Sequence, residues 1–298
     1  MICAVVVNFN AAPLLPACVA SLRANGVAEI VVVDNASVDG SQAALTASGV
    51  DALWVQAGAN LGYGRAANLG AGRVPGADLL VCNPDLELGA GALDALAGRL
   101  EKDPSLGLVG PRLENPDGSL YPSARTFPDL IDAIGHGLVG TVAPDNRFTR
   151  RYRLLDWDHA AATEVDWVSG ACFLAHRPAW DAVGGFDPSY FMYLEDVDLC
   201  WRMRREGWKI GYEPAAVVTH VQGVSTNQRP YRMLAAHHVS MWRFARRTTR
   251  GGRRAVLPLV GLGLVGRLAV VWGRRVVSGL RLSRLRGAGP GRGRRPLP

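Results

Sequence analysis

Short apolar runs and helical patterns alternate along the first hundred residues, and this alternation limits the folds that the chain can adopt. Strand-like runs occupy residues 2–7, 29–33, 52–55 and 78–82. Helical patterns lie between and after them, at residues 13–24, 39–48, 63–72 and 89–101. Strands that alternate with helices favour right-handed βαβ units. The sequence therefore predicts an α/β fold with a mostly parallel central sheet flanked by helices.

Polar residues follow the predicted strands. Asn8, Asp34 and the pair Asn83 and Asp85 come directly after apolar runs, and a further polar stretch covers residues 60–68. Parallel sheets of this kind bind ligands at the carboxyl ends of their strands. The chain has no GxxxxGK[ST] loop and no complete dinucleotide fingerprint after a strand. These residues therefore predict a nucleotide diphosphate held by carboxylates, amides and a metal ion.

Three carboxylates, Glu195, Asp196 and Asp198, fall within four positions after an aromatic stretch at residues 190–193. The apolar spacing that follows predicts a helix, so these carboxylates belong to its first turn, where unpaired backbone N–H groups favour negative charge. A carboxylate held there is a candidate general base. The alternative is an acidic first turn that only caps its helix, with Asp198 paired to Arg202.

The later part of the chain is less regular. Residues 110–128 are rich in Pro, Gly and Asp and predict a loop or hairpin, and residues 140–162 look irregular. Strand character returns at residues 163–175 and 208–219, and residues 231–247 have a helical pattern.

Charge is distributed unevenly along the chain. Residues 1–213 hold 16 Lys and Arg against all 26 Asp and Glu, whereas residues 214–298 hold 17 basic residues and no acidic one. An acidic body with a basic tail predicts a polyanionic partner surface, either nucleic acid or anionic lipid.

The apolar stretch at residues 256–272 favours lipid. The 12 residues between Arg254 and Arg267 carry no charge, which is too short for a membrane span, so we expect a segment lying on anionic lipid. The alternative is a solvated, partly disordered basic tail. The last residues, 287–298, are predicted to be disordered in either case.

The five cysteines form no CxxC pair, which favours buried, reduced thiols in a cytosolic protein over a metal cluster or disulfide framework. The chain opens directly into the first strand pattern without a basic leader, so no signal peptide is predicted.

Seven short motifs in order make the sequence resemble the family 2 glycosyltransferases of the GT-A fold, over roughly residues 2–225. The motifs are Val-Val-Val-Asn-Phe-Asn at 5–10, Val-Asp-Asn-Ala-Ser-Val-Asp-Gly-Ser at 33–41, Asn-Leu-Gly-Tyr-Gly-Arg-Ala-Ala-Asn at 60–68, Asn-Pro-Asp at 83–85, Trp-Val-Ser-Gly-Ala at 167–171, Gly-Gly-Phe-Asp at 184–187 and Glu-Asp-Val-Asp-Leu at 195–199.

The resemblance implies a division of the chain. A GT-A domain would cover residues 1–230, with a Rossmann-like nucleotide-sugar half at 1–105 and an acceptor half at 106–230. A helical, basic, membrane-associating segment would follow at 231–286, and a disordered tail at 287–298.

The resemblance also implies roles for single residues. Asp196 matches the catalytic base of an inverting, single-displacement transfer. Asp85 and His220 would hold Mg²⁺ or Mn²⁺, although Asn83 replaces the first carboxylate of the family's Asp-x-Asp motif. The residues implied to bind the donor are Asn8, Asp34, Gly62, Arg65, Asn68, Asn83 and Asp85, and those implied to bind the acceptor are Trp167, Gly170, Tyr193 and Glu195.

Within the family, Pro111 and the segments 117–119, 121–125 and 235–238 resemble the actinobacterial rhamnosyltransferases. This implies transfer of L-rhamnose from dTDP-L-rhamnose to a GlcNAc-diphospho-polyprenol, for the linker between peptidoglycan and arabinogalactan. The implied partners are a nucleotide sugar, a polyprenyl-diphosphate-linked acceptor and an anionic membrane surface, without nucleic acid. The implied location is cytoplasmic, peripheral on the inner face of the plasma membrane.

Three alternatives remain at this point. The same fold could use another donor or acceptor, as a galactofuranosyl- or mannosyltransferase does. A sugar-1-phosphate nucleotidyltransferase would need a glycine-rich, basic N-terminal loop, which residues 8–13 do not provide. A non-enzymatic nucleic-acid-binding protein would explain the basic tail but not the acidic body.

Overall fold

The computed structural model describes residues 1–127, 150, 154, 157–221 and 230–287. Strands and helices alternate through the first part of the chain, as the sequence predicts. The elements are β1 (Ile2–Asn8), α1 (Leu15–Ala24), β2 (Glu29–Asp34), α2 (Ser41–Ala47), β3 (Leu53–Gln56), α3 (Tyr63–Ala71), β4 (Asp78–Cys82), β5 (Leu86–Leu88) and α4 (Ala92–Lys102).

Strands dominate the middle of the chain, and helices dominate its end. The remaining elements are β6 (Leu106–Glu114), β7 (Leu120–Tyr121), β8 (Ala124–Arg125), β9 (Thr163–Val165), β10 (Trp167–Val168), β11 (Cys172–Ala175), α5 (Arg177–Val183), α6 (Glu195–Arg205), β12 (Lys209–His220), α7 (Pro230–Thr248), a 3₁₀ helix (Gly251–Val256) and α8 (Leu257–Gly287).

The central sheet has the order β3-β2-β1-β4-β11-β6-β12-β5, with β7 added to β6 and β9 added to β12. The strands from β3 to β4 are parallel, and β12 is parallel to β6. Strand β11 is antiparallel to both of its neighbours, β4 and β6. This confirms the predicted α/β fold with a mostly parallel sheet. The antiparallel pairing of β11 with β4 also places the residues just before β11 beside the end of β4, where Asn83 N donates to Ala171 O at 2.8 Å.

Two apolar cores cover the two faces of the sheet. Val5 and Val7 face the core beneath α3 and α6, whereas Ala4 and Val6 face the core beneath α1 and α4. A strand buried on both faces needs an unbroken apolar run, and β1 has one. The polar residues that follow it are therefore confined to the edge of the sheet.

The segment predicted as a loop or hairpin, residues 110–128, is partly a sheet strand. Strand β6 continues to Glu114 and pairs with β12 and β11 before it turns into the β6–β7 hairpin. Gly110 in this strand serves close packing, because a Cβ there would lie 2.7 Å from Val168 Cβ, whereas Gly118, with φ 79°, lies in the turn that follows. The strand-like stretch at 163–175 is divided into β9, β10 and β11, and most of the irregular stretch at 140–162 lies outside the described residues.

Helices α7 and α8 form a hairpin at the end of the chain. The ring of Tyr231 meets that of Trp272 at a centroid distance of 5.9 Å, and Trp242 lies against Gly261. The predicted helix at 231–247 is confirmed. In the sequence, only the 12 residues before Arg267 form an uncharged apolar segment. In the structure one helix continues through Arg267, so the apolar helical segment is longer than predicted. By length and composition, Gly251–Gly273 could cross a membrane, because an 18-residue window within it has a mean hydropathy of 2.0. Residues 288–298 lie outside the described residues.

Candidate active site

A cleft of about 420 Å³ lies at the carboxyl ends of the central strands. It brings together side chains from both halves of the chain and from α7. The predicted site residues that line it are Asn83, Asp85, Trp167, Gly170, Tyr193, Glu195, Asp196 and His220. Residues far apart in sequence thus meet at the place where a sheet of this type binds its ligand.

Asp85 and His220 form one corner of the cleft. Strand β5 pairs with the end of β12, with Leu86 opposite His220, and this pairing puts His220 Nε2 3.2 Å from Asp85 Oδ1. Asn83 Nδ2 lies 3.3 Å from the same imidazole nitrogen. His220 Nδ1 is buried and has no hydrogen-bond partner within the described residues.

The corner fits a divalent cation held by few protein ligands. Within the described residues no group of three or more His, Cys, Asp or Glu side chains has the geometry of a metal site. One carboxylate and one imidazole leave most coordination positions to diphosphate oxygens and water, which is how Mg²⁺ is commonly bound at phosphates.

Asp196 lies in the first turn of α6 and is held by backbone donors. Gly170 N donates to Oδ2 and Val197 N donates to Oδ1, both at 2.8 Å. Burial raises the pKa of the Asp196 carboxyl, while these N–H groups and the charge of Arg125 oppose that rise. A carboxylate with a raised pKa is a stronger base than an exposed aspartate, and its two short bonds fix its orientation.

Glu195 is buried beside Asp196 and is only 6% exposed. Burial, followed by repulsion from Asp196, raises the pKa of its carboxyl well above the usual glutamate range. Its Oε2 atom has no hydrogen-bond partner within the described residues. An unsatisfied buried oxygen in a cleft calls for a functional explanation, and a substrate hydroxyl is one candidate partner.

The turn before these two carboxylates is strained. Tyr193 and Leu194 have φ values of 67° and 61°, in the left-handed region that ordinary side chains avoid. On the other side of this segment, Gly62 has φ 87°, and a Cβ there would lie 2.2 Å from Phe191 O. The glycine therefore allows a close approach to the protein backbone at Phe191, whereas the resemblance implied that Gly62 binds the donor.

The predicted acceptor residues line the cleft, and two of them, Trp167 and Gly170, are also hydrogen-bonded to the protein. Trp167 Nε1 donates to Thr126 O at 2.8 Å. Gly170 O accepts a bond from Tyr63 OH at 2.5 Å, and a Cβ at Gly170 would lie 3.2 Å from Asp196 Cβ. Gly170 thus supports the candidate base directly.

Five predicted donor residues, Asn8, Asp34, Gly62, Arg65 and Asn68, do not line this cleft. Asp34 accepts bonds from Asn8 Nδ2 at 2.9 Å and Ser37 N at 3.1 Å, and it lines a separate recess with α2. Asn68 uses its amide on both backbone groups of Phe186. Arg65 is exposed on α3. Their donor-binding roles stay predictions.

Helix α7 supplies cleft residues that the sequence reasoning missed as site residues, namely Arg232, Met233 and His237. His237 lies within a segment that carried the resemblance, whereas nothing in the local pattern pointed to Arg232. Arg125 was also missed; its guanidinium lies 5.1 Å from the ring of Trp167. The other polar and aromatic lining residues are Phe9, Asn35, Asn60, Tyr63, Tyr121, Ser169 and Phe191.

Ion pairs and a hydroxyl hydrogen bond fasten α7 to residues 187–198, the segment that carries the candidate base. Arg247 Nη1 lies 2.6 Å from Asp198 Oδ1 and 2.7 Å from Asp187 Oδ2. Asp198 Oδ2 also accepts a hydrogen bond from Arg202 Nε at 2.6 Å, which confirms the predicted ion pair within the helix. Ser240 Oγ donates to Met192 O at 2.9 Å.

Comparisons with known proteins bear on the family of this chain. Residues 3–163 match the model of glycosyl transferase family 2, and residues 136–250 match that of glycosyltransferase-like family 2. The N-acetylglucosaminyl-diphospho-decaprenol L-rhamnosyltransferase of Mycobacterium tuberculosis is 38% identical over 295 residues, which cover 95% of each chain.

Solved glycosyltransferases share the fold. The mannosyltransferase of Pyrobaculum calidifontis, in complex with GDP-Man and Mn²⁺, superposes with a TM-score of 0.57 at 16% identity, over 95% of this chain and 80% of that one. GalNAc-T7 with UDP, GalNAc and Mn²⁺ gives a TM-score of 0.56 at 16% identity, over 74% of this chain and 44% of that longer chain. The chain therefore belongs to glycosyltransferase family 2 and is a glycosyltransferase with the GT-A fold.

Proposed function

We propose that the protein is an inverting rhamnosyltransferase that moves L-rhamnose from dTDP-L-rhamnose to a GlcNAc-diphospho-polyprenol in cell-wall linker biosynthesis. The observation that carries this proposal is that a half-buried, oriented carboxylate, Asp196, lines the same cleft as the Asp85–His220 corner. The choice of sugar and acceptor is supported by the 38% identity to the mycobacterial rhamnosyltransferase over nearly the whole chain.

Asp196 would act as the general base. An inverting transfer needs one group that removes the proton of the acceptor hydroxyl while the sugar carbon is attacked. The bonds from Gly170 and Val197 occupy one lone pair on each carboxylate oxygen and leave others for that hydroxyl. Glu195 and Tyr193 would orient the acceptor sugar, and the flat ring of Trp167 would offer it a stacking surface.

Asp85 and His220 would hold the divalent cation, with Asn83 beside them. When bound, Mg²⁺ or Mn²⁺ would offset the charge that develops on the departing dTDP. The remaining donor residues implied by the resemblance, including Asp34 and Arg65, would contact the nucleoside side of the donor.

The α7–α8 hairpin would bring the cleft to its membrane-borne acceptor. Leu259, Leu262 and Val265 on α8 are 68%, 71% and 67% exposed, and arginines at 253, 254 and 267 accompany them. Because α8 packs along α7, and α7 is fastened to the catalytic segment, we favour a helix lying on the cytoplasmic face of an anionic membrane over one that crosses it.

Incubation with dTDP-rhamnose, a short-chain GlcNAc-diphospho-lipid and Mg²⁺ tests the activity, with the product identified by mass spectrometry. We expect one deoxyhexose to be added. UDP-galactofuranose and GDP-mannose are the matched alternative donors. Transfer from one of these, without transfer from dTDP-rhamnose, would assign the same fold to another family 2 activity.

Liposome sedimentation tests the membrane placement. We expect the full chain to sediment with anionic vesicles at low salt and to be largely released at high salt, and a variant ending at Arg250 to remain in solution. The truncated variant should keep its activity on a water-soluble acceptor, because α7 and the cleft stay intact. Equal sedimentation of both proteins would exclude α8 as the membrane-binding element, and resistance of the full chain to salt and alkaline extraction would favour a spanning helix.

A further inference from the structure

Arg232 is a cleft-lining arginine whose guanidinium donors have no hydrogen-bond partner among the described residues. Its guanidinium lies 4.7 Å from the ring centroid of Phe191. Within the described part of the chain, no carboxylate pairs with it and no hydrogen bond uses its N–H groups. Arg247 on the same helix is different, since it pairs with Asp187 and Asp198.

The chemistry of this site favours an anionic ligand with several oxygens. A guanidinium presents five N–H donors in a planar fork that matches phosphate oxygens. Stacking on Phe191 holds the plane of Arg232 and lowers the entropy lost when a ligand binds. Arg125, the other arginine in the cleft, is already engaged with Pro122 O, Tyr121 OH and the ring of Trp167.

The position of Arg232 selects among possible anions. On one side, α7 reaches the turn that precedes the candidate base, because His237 meets Tyr193 at a ring distance of 5.3 Å. On the other side, Tyr231, the neighbour of Arg232, meets Trp272 of the apolar helix at 5.9 Å. Val270 and Trp272 are 52% and 45% exposed there. Arg232 therefore lies between the turn that precedes Asp196 and the exposed apolar surface of α8.

We propose that Arg232 binds the diphosphate of a lipid-linked acceptor and so sets the preference for acceptors that carry this group. The inference rests on the proposed function. In such an acceptor the diphosphate joins the sugar to the lipid. When the sugar hydroxyl is at Asp196 and the lipid runs toward α8, the diphosphate must lie between them, which is where Arg232 is placed.

The donor also contains a diphosphate, so the test must separate the two sources. Arg232→Gln removes the charge and keeps the side chain polar, and Arg232→Lys keeps the charge but loses the bidentate fork. Arg246→Gln is the matched control, because Arg246 lies on the same helix, its guanidinium is 5.9 Å from the ring of Trp242, and it does not line the cleft.

KM and kcat are measured with a short-chain GlcNAc-diphospho-lipid and with the uncharged GlcNAc glycoside of the same alcohol. Farnesyl diphosphate is added as a sugar-free competitor. For Arg232→Gln we expect KM for the diphospho-lipid to rise about 10- to 100-fold, as for loss of a charge-assisted contact, with a parallel loss of inhibition by farnesyl diphosphate. KM for dTDP-rhamnose and activity on the uncharged glycoside should be unchanged, and Arg232→Lys should be intermediate.

Several results would overturn the inference. An equal loss on both acceptors would reduce Arg232 to a structural role, and a rise in KM for dTDP-rhamnose would assign it to the donor diphosphate. An unchanged KM of Arg232→Gln for both acceptors and for dTDP-rhamnose would show that Arg232 binds neither substrate. A wild-type protein that transfers no rhamnose to either acceptor would instead refute the proposed function, and the inference would fall with it.

Discussion

The two sides of the cleft are held together by different forces. The sheet wall, which we define as the ends of β1, β4 and β12 with residues 83–85, continues strands buried on both faces. The helical wall, which comprises residues 186–194, α6 and α7, also contributes apolar side chains to a core, but specific polar ties such as Arg247 with Asp198 and Ser240 with Met192 hold it in addition. Apolar burial tolerates many substitutions of similar volume, whereas a polar tie requires both of its partners. The helical wall is therefore the more vulnerable side, and it carries the candidate base.

The largest effect is expected from Asp196→Asn in the helical wall. Removing a general base typically lowers turnover by about 10²- to 10⁴-fold. Affinity for dTDP should change little, because the sheet wall is untouched. Asp94→Asn is the matched control, since Asp94 is also a first-turn aspartate but is exposed on α4. Near-normal turnover by Asp196→Asn would remove this residue from the mechanism.

In the sheet wall, Asp85→Ala should weaken only the metal-dependent binding of the donor nucleotide. We expect the gain in dTDP affinity on adding Mg²⁺ or Mn²⁺ to fall by at least about 10-fold, the lower bound for residues that merely support metal ligands. Titration calorimetry with and without the cation measures this. Glu87→Ala on the exposed side of β5 is the control. Undiminished metal-linked binding would place the cation elsewhere or show that none is needed.

Arg247→Met tests the tie between α7 and α6. The substitution removes the ion pairs with Asp187 and Asp198, but Asp198 would keep Arg202 as a partner. We therefore expect the free energy of unfolding to fall by only about 1–3 kcal/mol, as for partly exposed charge-assisted contacts. Turnover should fall further than stability alone explains, because α7 lines the cleft. Chemical denaturation of this variant and of Arg246→Met provides the comparison. Equal stability of the two variants would mean that α7 is held by its apolar contacts.

Glu195→Gln should change the dependence of stability on pH. Because burial raises the pKa of Glu195 in the folded state, the folded protein holds the proton more tightly than the unfolded chain does. Stability is therefore lost as pH rises from the ordinary glutamate pKa to the raised one, by at most about 1.4 kcal/mol per pH unit. The glutamine variant should not show this loss.

Denaturation curves across that pH range test the Glu195 prediction, with the exposed Glu206→Gln as the control. We expect the stability of the Glu195→Gln variant to exceed that of the wild type by an amount that grows with pH. Parallel plots of stability against pH for the two proteins would show that folding does not change the pKa of Glu195.

The same contrast explains what the sequence could predict. Strand β4 was predicted with its observed bounds, residues 78–82, because a run buried on both faces is visible as uninterrupted hydrophobicity. Asn83, Asp85 and His220 could be predicted as site residues in the same way, because each lies at the end of an apolar strand pattern. Arg232 and Arg247 could not be found locally. Their roles arise from contacts with Phe191 and Asp198, which depend on how α7 packs after the chain has folded.

The α7–α8 hairpin links the lining of the cleft to an apolar surface, through the contact of Tyr231 with Trp272. On the proposed membrane placement, the enzyme would meet its acceptor in two dimensions, at a fixed height and orientation above the bilayer. The rate would then follow the mole fraction of acceptor in the membrane and not its bulk concentration. Adding inert lipid at constant acceptor would slow the enzyme, whereas diluting the whole suspension would hardly change the turnover of each bound molecule.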